Sequence, residues 1–310
     1  EGCQLLCTTE KKVKMKETKQ HFDAVVVGLG KTGISCVRYL LSKDLKIAVT
    51  DSRMDPPGLS MLKTECTSVP VFLGEINAEI LLSSDQIILS PGVSLNNEAV
   101  KQAIANGIPV FGDIEIFCQQ AKAPIIAISG SNGKSTVTTL ITEITSQAGL
   151  KTSVGGNLGT PALDLLNEDI PDIYVLELSS FQLETTFSLN AHASVVLNIS
   201  SDHMDRHTNL PEYINVKKKI YSGNGLMVIN MDDEAVKAMD DNSRQSIYFT
   251  LSRPEKNNFG TIIENNEVWL CQGDNKIIRQ DELGIKGEHN VANALAAIAL
   301  ATSMNVPFDS

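Results

Sequence analysis

Residues 124–136 read Pro-Ile-Ile-Ala-Ile-Ser-Gly-Ser-Asn-Gly-Lys-Ser-Thr, PIIAISGSNGKST. A β-branched apolar run (124–129) enters a loop with two glycines, and Val-Thr-Thr-Leu-Ile-Thr-Glu-Ile-Thr-Ser-Gln-Ala-Gly (137–149) leaves it at helical spacing and ends on Gly149. Strand, glycine loop and helix are the context a phosphate-binding loop requires. The usual G-x-x-x-x-G-K-[ST] pattern would need glycine at 128, where the chain has Ile128, so the loop is the shorter G-x-x-G-K-S. Gly130 and Gly133 free the backbone around Ser131 and Asn132 to turn N–H groups inward. Lys134 can neutralise terminal phosphates, and Ser135 or Thr136 can offer a hydroxyl to Mg²⁺. The segment is an ATP site of a tighter kind.

Upstream the same alternation occurs once more. Strands are expected at 23–28, 46–51, 85–91 and 108–113, with helices at 34–43 and 97–107. Such alternation predicts a parallel, doubly wound sheet. Gly28-Leu-Gly30-Lys-Thr-Gly33 falls between the first strand and the first helix and matches G-x-G-x-x-G, and the next strand ends at Asp51. On these residues alone NAD is the default ligand, although other nucleotide diphosphates fit the same turn. Arg53 adds a cation there. Near 121–124 the pattern restarts, which places the domain boundary: a tail over 1–20, a Rossmann-like domain over 21–121 and a P-loop-type ATPase domain over 122–310.

Downstream, 173–178, 193–199, 225–230 and 246–251 read as strands, 261–272 as a β-hairpin turning at Asn265-Asn266, and 290–304 as a long helix. The expected class is α/β with a small antiparallel annex. Glu177 ends a buried strand, where an unpaired carboxylate is costly unless it has a role such as holding Mg²⁺. Asp202, His203, Asp205, Arg206 and His207 cluster after another strand, at the sheet edge where α/β folds bind ligands. Lys217, Lys218 and Lys219 follow Pro211 on a helix; three successive lysines cannot share one face, so at least one can turn inward.

Composition sets the limits. The 310 residues are 42% hydrophobic with formal net charge −11. No broad basic surface exists for nucleic acid or anionic lipid, and no apolar run reaches membrane-spanning length. Cysteines at 3, 7, 36, 66, 118 and 271 form no C-x-x-C pair, as expected for reduced thiols in a cytoplasmic protein. A monomer is expected. Met15, just ahead of the first strand, is a candidate start.

Taken in order, GLGKTG, DSRMDPPG, SPGVS, GDIEIF, GSNGKSTVTTL, GGNLGTPAL, YVLELSSFQLE, DHMDR and GEHNVANALAA resemble the Mur ligases of peptidoglycan synthesis, in particular their D-glutamate-adding branch. The likeness spans residues 20–307. It implies that the first domain binds UDP rather than NAD, with Gly30, Lys31 and Thr32 at the diphosphate, Asp51, Ser52 and Arg53 around the uridine, and Ser90 and Gly92 nearby. Lys31 stands where some relatives carry an apolar residue. Lys134 would hold ATP within the loop from Gly130 to Thr136, Ser135 and Glu177 a first Mg²⁺, and His203 and a carbamoylated Lys217 a second. Asn157 would position the acceptor carboxylate; Asn290 and Asn293 would border the adenine.

The resemblance further implies ATP-driven joining of D-glutamate to UDP-N-acetylmuramoyl-L-alanine through an acyl phosphate. The family's third, C-terminal domain, which binds the amino acid, would begin where this chain stops at Ser310. The chain alone is therefore expected to bind both nucleotides without completing the ligation. Two other readings stay open: a module that holds UDP-sugar and ATP without turnover, and an NAD oxidoreductase built on G-x-G-x-x-G.

Overall fold

A computed structural model describes residues 20–167, 169–200, 209–240 and 242–307. The tail expected over 1–20 and the cluster 202–207 lie outside the described residues, except Gln20.

Five strands form the first sheet: β1 (Ala24–Val27), β2 (Ile47–Asp51), β3 (Val71–Leu73), β4 (Ile87–Leu89) and β5 (Val110–Phe111). Their order is β3-β2-β1-β4-β5, and every pairing is parallel. β1 is Ala-Val-Val-Val and buried throughout, as a central strand covered on both faces must be. The strand order reverses direction between β1 and β4. In open α/β sheets that point leaves a crevice at the carboxyl ends of the strands.

The second sheet has nine strands: β6 (Ile125–Ser129), β7 (Thr152–Gly156), β8 (Ile173–Glu177), β9 (Ala193–Val196), β10 (Leu226–Asn230), β11 (Ser246–Phe249), β12 (Phe259–Glu264), β13 (Glu267–Gln272) and β14 (Asn275–Arg279). Their order is β14-β13-β12-β11-β10-β9-β6-β8-β7. β6 lies between β8 and β9 in a parallel core, and only β12–β13 and β13–β14 are antiparallel. The annex expected from the hairpin is thus continuous with the main sheet and extends its edge. Asn265 (φ 52°) and Asn266 (φ 64°) form the hairpin turn. Two successive left-handed residues match the right-handed twist of the strands they join.

The two sheets share a hydrophobic core. One cluster of buried side chains runs from Val26 and Ile34 through Phe117 and Tyr174 to Ile229. The Phe117 and Tyr174 rings meet edge to face, with centroids 5.0 Å apart. Polar ties cross the same junction: Ser35 Oγ donates to Asp164 Oδ1 at 2.7 Å, and Glu115 Oε2 accepts from the Phe187 and Ser188 amides at 2.7 and 2.9 Å. A second cluster packs the alanine-rich helix Glu288–Thr302 against the helix Lys134–Gln147 through residues such as Val137, Ile141, Ala297 and Leu300.

Among the described residues no helix is long and apolar enough to cross a membrane. Cys36, Cys66, Cys118 and Cys271 are free thiols.

Candidate functional site

The turn after β1 is made by close contacts. Gly28 has φ +93°, and a Cβ on it would lie 2.9 Å from the Ser90 side chain. A Cβ on Gly33 would lie 2.0 Å from the Gly28 carbonyl oxygen. Gly30 caps the helix Lys31–Leu41 without a side-chain bond and has open space beside it. A helix N-terminus with unpaired N–H groups facing open space favours an anion.

This space is a cleft of about 450 Å³. Gly30, Lys31, Thr32, Asp51, Ser52, Arg53, Ser90, Gly92 and Asn157 all line it, so the structure brings the whole expected substrate set together. The first eight come from the first sheet's loops; Gly156, Asn157 and Gln182 close the cleft from the second.

Asp51, 2% exposed, already has its partners. Its Oδ2 accepts from the Leu29 amide and Arg53 Nη2, each at 2.7 Å, and its Oδ1 from the Arg53 amide and Nε, each at 2.9 Å. Burial opposes the charge, but these donors outweigh it and hold the carboxyl below its ordinary range. The carboxylate that a Rossmann site would offer to a ribose hydroxyl therefore anchors Arg53 instead.

The phosphate loop follows β6. Gly133, with φ +84°, begins the helix, and a Cβ there would lie 2.5 Å from Asn293 Oδ1. Asn293 is buried and donates to Asn290 Oδ1 at 3.1 Å, so the two asparagines, from the first two turns of the helix Glu288–Thr302, stand together beside the loop. Lys134 Nζ folds back onto the Gly130 and Ser131 carbonyls at 2.9 and 3.0 Å. Thr136 occupies the first helical turn with Ser135. Asn132 is gripped twice by Asn198: its amide donates to Asn198 Oδ1 at 2.8 Å, and its carbonyl accepts from Nδ2 at 3.1 Å.

Glu177, 2% exposed, joins the two regions. Its Oε2 accepts from Ser135 Oγ and its Oε1 from Asn157 Nδ2, both at 2.8 Å. Strand register explains the meeting. Gly156 of β7 pairs with Glu177 of β8, and a Cβ at 156 would lie 2.4 Å from the Glu177 carbonyl oxygen. The next residue, Asn157, therefore reaches the same carboxylate as the phosphate-loop serine.

Lys217 is the lysine of its run that turns inward, at 2% exposure. Its Nζ donates to Ser129 Oγ at 3.2 Å and to the Gly130 carbonyl at 2.9 Å, beneath the loop, and lies 4.9 Å from the Tyr213 ring centroid. His203 lies outside the described residues. Among the described residues, no group of three His, Cys, Asp or Glu side chains is arranged for a metal.

Two site residues went unread in the sequence. Asn198 carries no motif and is brought to Asn132 by the pairing of β9 with β6. Gln182 lines the cleft and completes a capping box with Ser179; the S-x-x-Q spacing was the available signal.

Residues 128–301 match the Mur ligase middle domain, and residues 22–112 match the N-terminal domain of the Mur ligase MurD-like type. The chain belongs to the Mur ligase family. It is 48% identical over 284 residues to a protein from Nitrosococcus oceani named UDP-N-acetylmuramoylalanine–D-glutamate ligase, covering 92% of this chain and 63% of that relative. A Pseudomonas aeruginosa protein of the same name is 47% identical over 290 residues, covering 94% of this chain and 64% of the relative. The chain thus spans a little under two thirds of the curated relatives it matches.

Two solved Mur ligases show the same fold. UDP-N-acetylmuramate:L-alanyl-gamma-D-glutamyl-meso-diaminopimelate ligase from Neisseria meningitides aligns with a TM-score of 0.64 at 18% identity, covering 93% of this chain and 95% of that one. UDP-N-acetylmuramate-alanine ligase from Thermotoga maritima aligns with a TM-score of 0.55 at 20% identity, covering 92% and 66%.

Proposed function

We propose that this chain carries the UDP- and ATP-binding parts of a ligase that joins D-glutamate to UDP-N-acetylmuramoyl-L-alanine. The names of its relatives support that substrate pair. The observation that carries the reading is the chain of contacts from Asn157 through Glu177 to Ser135. One end of it lines the cleft proposed for UDP and the other belongs to the loop proposed for ATP. An acyl-transfer site must bring those two molecules into reach of one another. In this reading residues 21–121 form the UDP-binding domain and 122–310 the ATP-binding domain of a cytoplasmic monomer.

The roles follow from chemistry. A carboxylate is a poor electrophile, so the γ-phosphoryl group of ATP passes first to the acceptor's carboxylate, giving an acyl phosphate and ADP. The amine of D-glutamate then attacks the acyl carbon, and phosphate leaves. Lys134 neutralises the transferring phosphoryl group once its ammonium leaves the loop carbonyls, and the loop amides hold the adjacent phosphates. Asn157 orients the acceptor carboxylate, while Asn290 and Asn293 border the adenine.

Mg²⁺ prefers hard oxygen ligands. The Ser135 hydroxyl and the buried Glu177 carboxylate, whose oxygens are held by neutral donors, fit such an ion and would hold it. Bound there, it would offset charge on the phosphates. Lys217 would serve a second ion with His203, after its neutral amine has added CO₂ and lost a proton to become a carbamate. Its burial beneath the loop supports this. A carbonyl signal in ¹³C NMR that depends on labelled CO₂ and vanishes in Lys217→Met checks it.

Calorimetry with UDP-N-acetylmuramoyl-L-alanine, a non-hydrolysable ATP analogue with Mg²⁺, and NAD tests the whole reading. Binding of the first two at separate sites is expected. Tighter binding of NAD than of the acceptor would return the protein to the oxidoreductase class.

A further inference from the structure

Lys31, Asp51 and Arg53 are the charged side chains among the described residues lining the cleft. Asp51 and Arg53 close on each other, so Lys31 is the cation without a carboxylate opposite it. It occupies the first position of its helix, where helix geometry already favours an anion. Its Nζ nevertheless donates across the cleft, to the Gly159 carbonyl at 2.5 Å.

Gly159 belongs to a tight loop, closed by the Gly156 amide donating to the Thr160 carbonyl at 2.9 Å. Asn157 lies in the same loop. Its amide donates to the Glu177 carbonyl at 2.8 Å, and its side chain to the Glu177 carboxylate. One short loop is therefore held on one side by the lysine at the proposed diphosphate site. On the other side it is held by the carboxylate that binds the phosphate-loop serine.

An ammonium has three N–H donors. A bond to Gly159 leaves two for a diphosphate oxygen, so Lys31 can serve both at once. We infer that Lys31 is a positioning residue that couples occupancy of the diphosphate site to the phosphate loop through residues 156–160. This rests on the reading that the cleft takes the UDP portion of the substrate. An exposed contact of this kind is weak in itself, so without an anion the tie is loose. A bound diphosphate fixes the ammonium, the ammonium fixes the Gly159 carbonyl, and the loop then fixes Asn157 and Glu177 against Ser135. Coupling of two sites needs a differential interaction of this sort.

The test measures coupling rather than activity. Calorimetry gives the affinity of a non-hydrolysable ATP analogue with Mg²⁺, with and without saturating UDP. UDP should tighten the analogue about five-fold or more in the wild type, within the usual range of such couplings. Lys31→Met preserves the apolar stem and should reduce that effect to less than about two-fold, while Lys31→Arg should recover most of it. Melting curves establish that both variants fold, as expected for an exposed side chain. Wild-type protein that binds UDP without coupling, or a Lys31→Met variant that keeps it, overturns the inference and leaves the proposed function standing. Wild-type protein that fails to bind UDP overturns the proposed function as well.

Discussion

Asp113 begins the helix Asp113–Gln120 at 1% exposure. Its Oδ2 accepts a long bond from Gln182 Nε2 at 3.4 Å, and among the described residues its Oδ1 has no hydrogen-bond partner. Burial pushes its pKa from the ordinary 3.8 up to about 6, against smaller opposing effects of Gln182 and the first helical amides. The folded protein therefore holds this proton more tightly than the unfolded chain does. Asp113 contributes most to stability below about pH 4, and that contribution is lost as pH rises through about 6, an effect of about 3 kcal/mol once pH reaches about 7. Asp113→Asn cannot titrate. Its stability relative to wild type should rise by about that amount between about pH 3 and pH 7 and level off above, as read from urea unfolding at each pH. A difference constant with pH would mean that Asp113 is charged or solvated in the fold. Two residues on, Glu115 has the opposite sign. Burial raises its pKa, but the Phe187 and Ser188 amides outweigh that and hold it low, so its contribution is present near neutrality and lost in acid.

At the scale of the element, the glycine turn after β1 separates two duties that the G-x-G-x-x-G pattern merges. Gly33→Ala would drive a Cβ to 2.0 Å from the Gly28 carbonyl, so the helix must move off the strand, at a cost of about 1–3 kcal/mol. Gly30 has φ −93° and open space, so Gly30→Ala should change stability by less than about 1 kcal/mol. Its methyl would nonetheless project into the proposed diphosphate site and weaken UDP binding. Chemical unfolding paired with UDP titration of the two variants separates these outcomes. Equal loss of stability in both would deny that position 30 faces a ligand. The pattern itself was legible because glycines between a strand and a helix carry their reason with them. The less legible elements lack such a signal. β3 has three residues, β7 reads Thr-Ser-Val-Gly-Gly, and beyond the strand expected over 108–113 no element is expected over 114–120, where Ile114 and Ile116 alternate with acidic residues inside the helix Asp113–Gln120. In that helix Ile114 and Phe117, three apart, are the fully buried pair, a helical spacing hidden behind the alternation.

For the whole molecule, the sequence pattern restarts near 121–124 but says nothing of how far the two sheets depend on each other. Nothing in the periodicity says that Phe117, from the first half, packs against Tyr174 of the second, or that Glu115 secures the Phe187 and Ser188 amides. These are long-range contacts that a local pattern cannot encode. The same holds at the site. The expected residues were legible one by one from motifs, whereas the meeting of Asn157, Glu177 and Ser135 depends on the β7–β8 register. With one buried cluster spanning both sheets, losing either half exposes the apolar face of the other. The protein should therefore unfold in a single calorimetric transition, as cooperative domains do. A ligand that binds only native protein raises that transition, by an amount that grows with the logarithm of its concentration over Kd. On the proposed reading UDP binds in the first sheet's cleft and should thus shift the whole transition upward, and NAD should not, since the Asp51 oxygens that would meet its ribose are taken by Arg53. Arg53→Ala should diminish the shift with UDP. Two resolved transitions, with UDP moving only one, would show that the shared core does not bind the halves into one cooperative unit; a larger shift with NAD would show that Asp51 releases Arg53 to take a ribose.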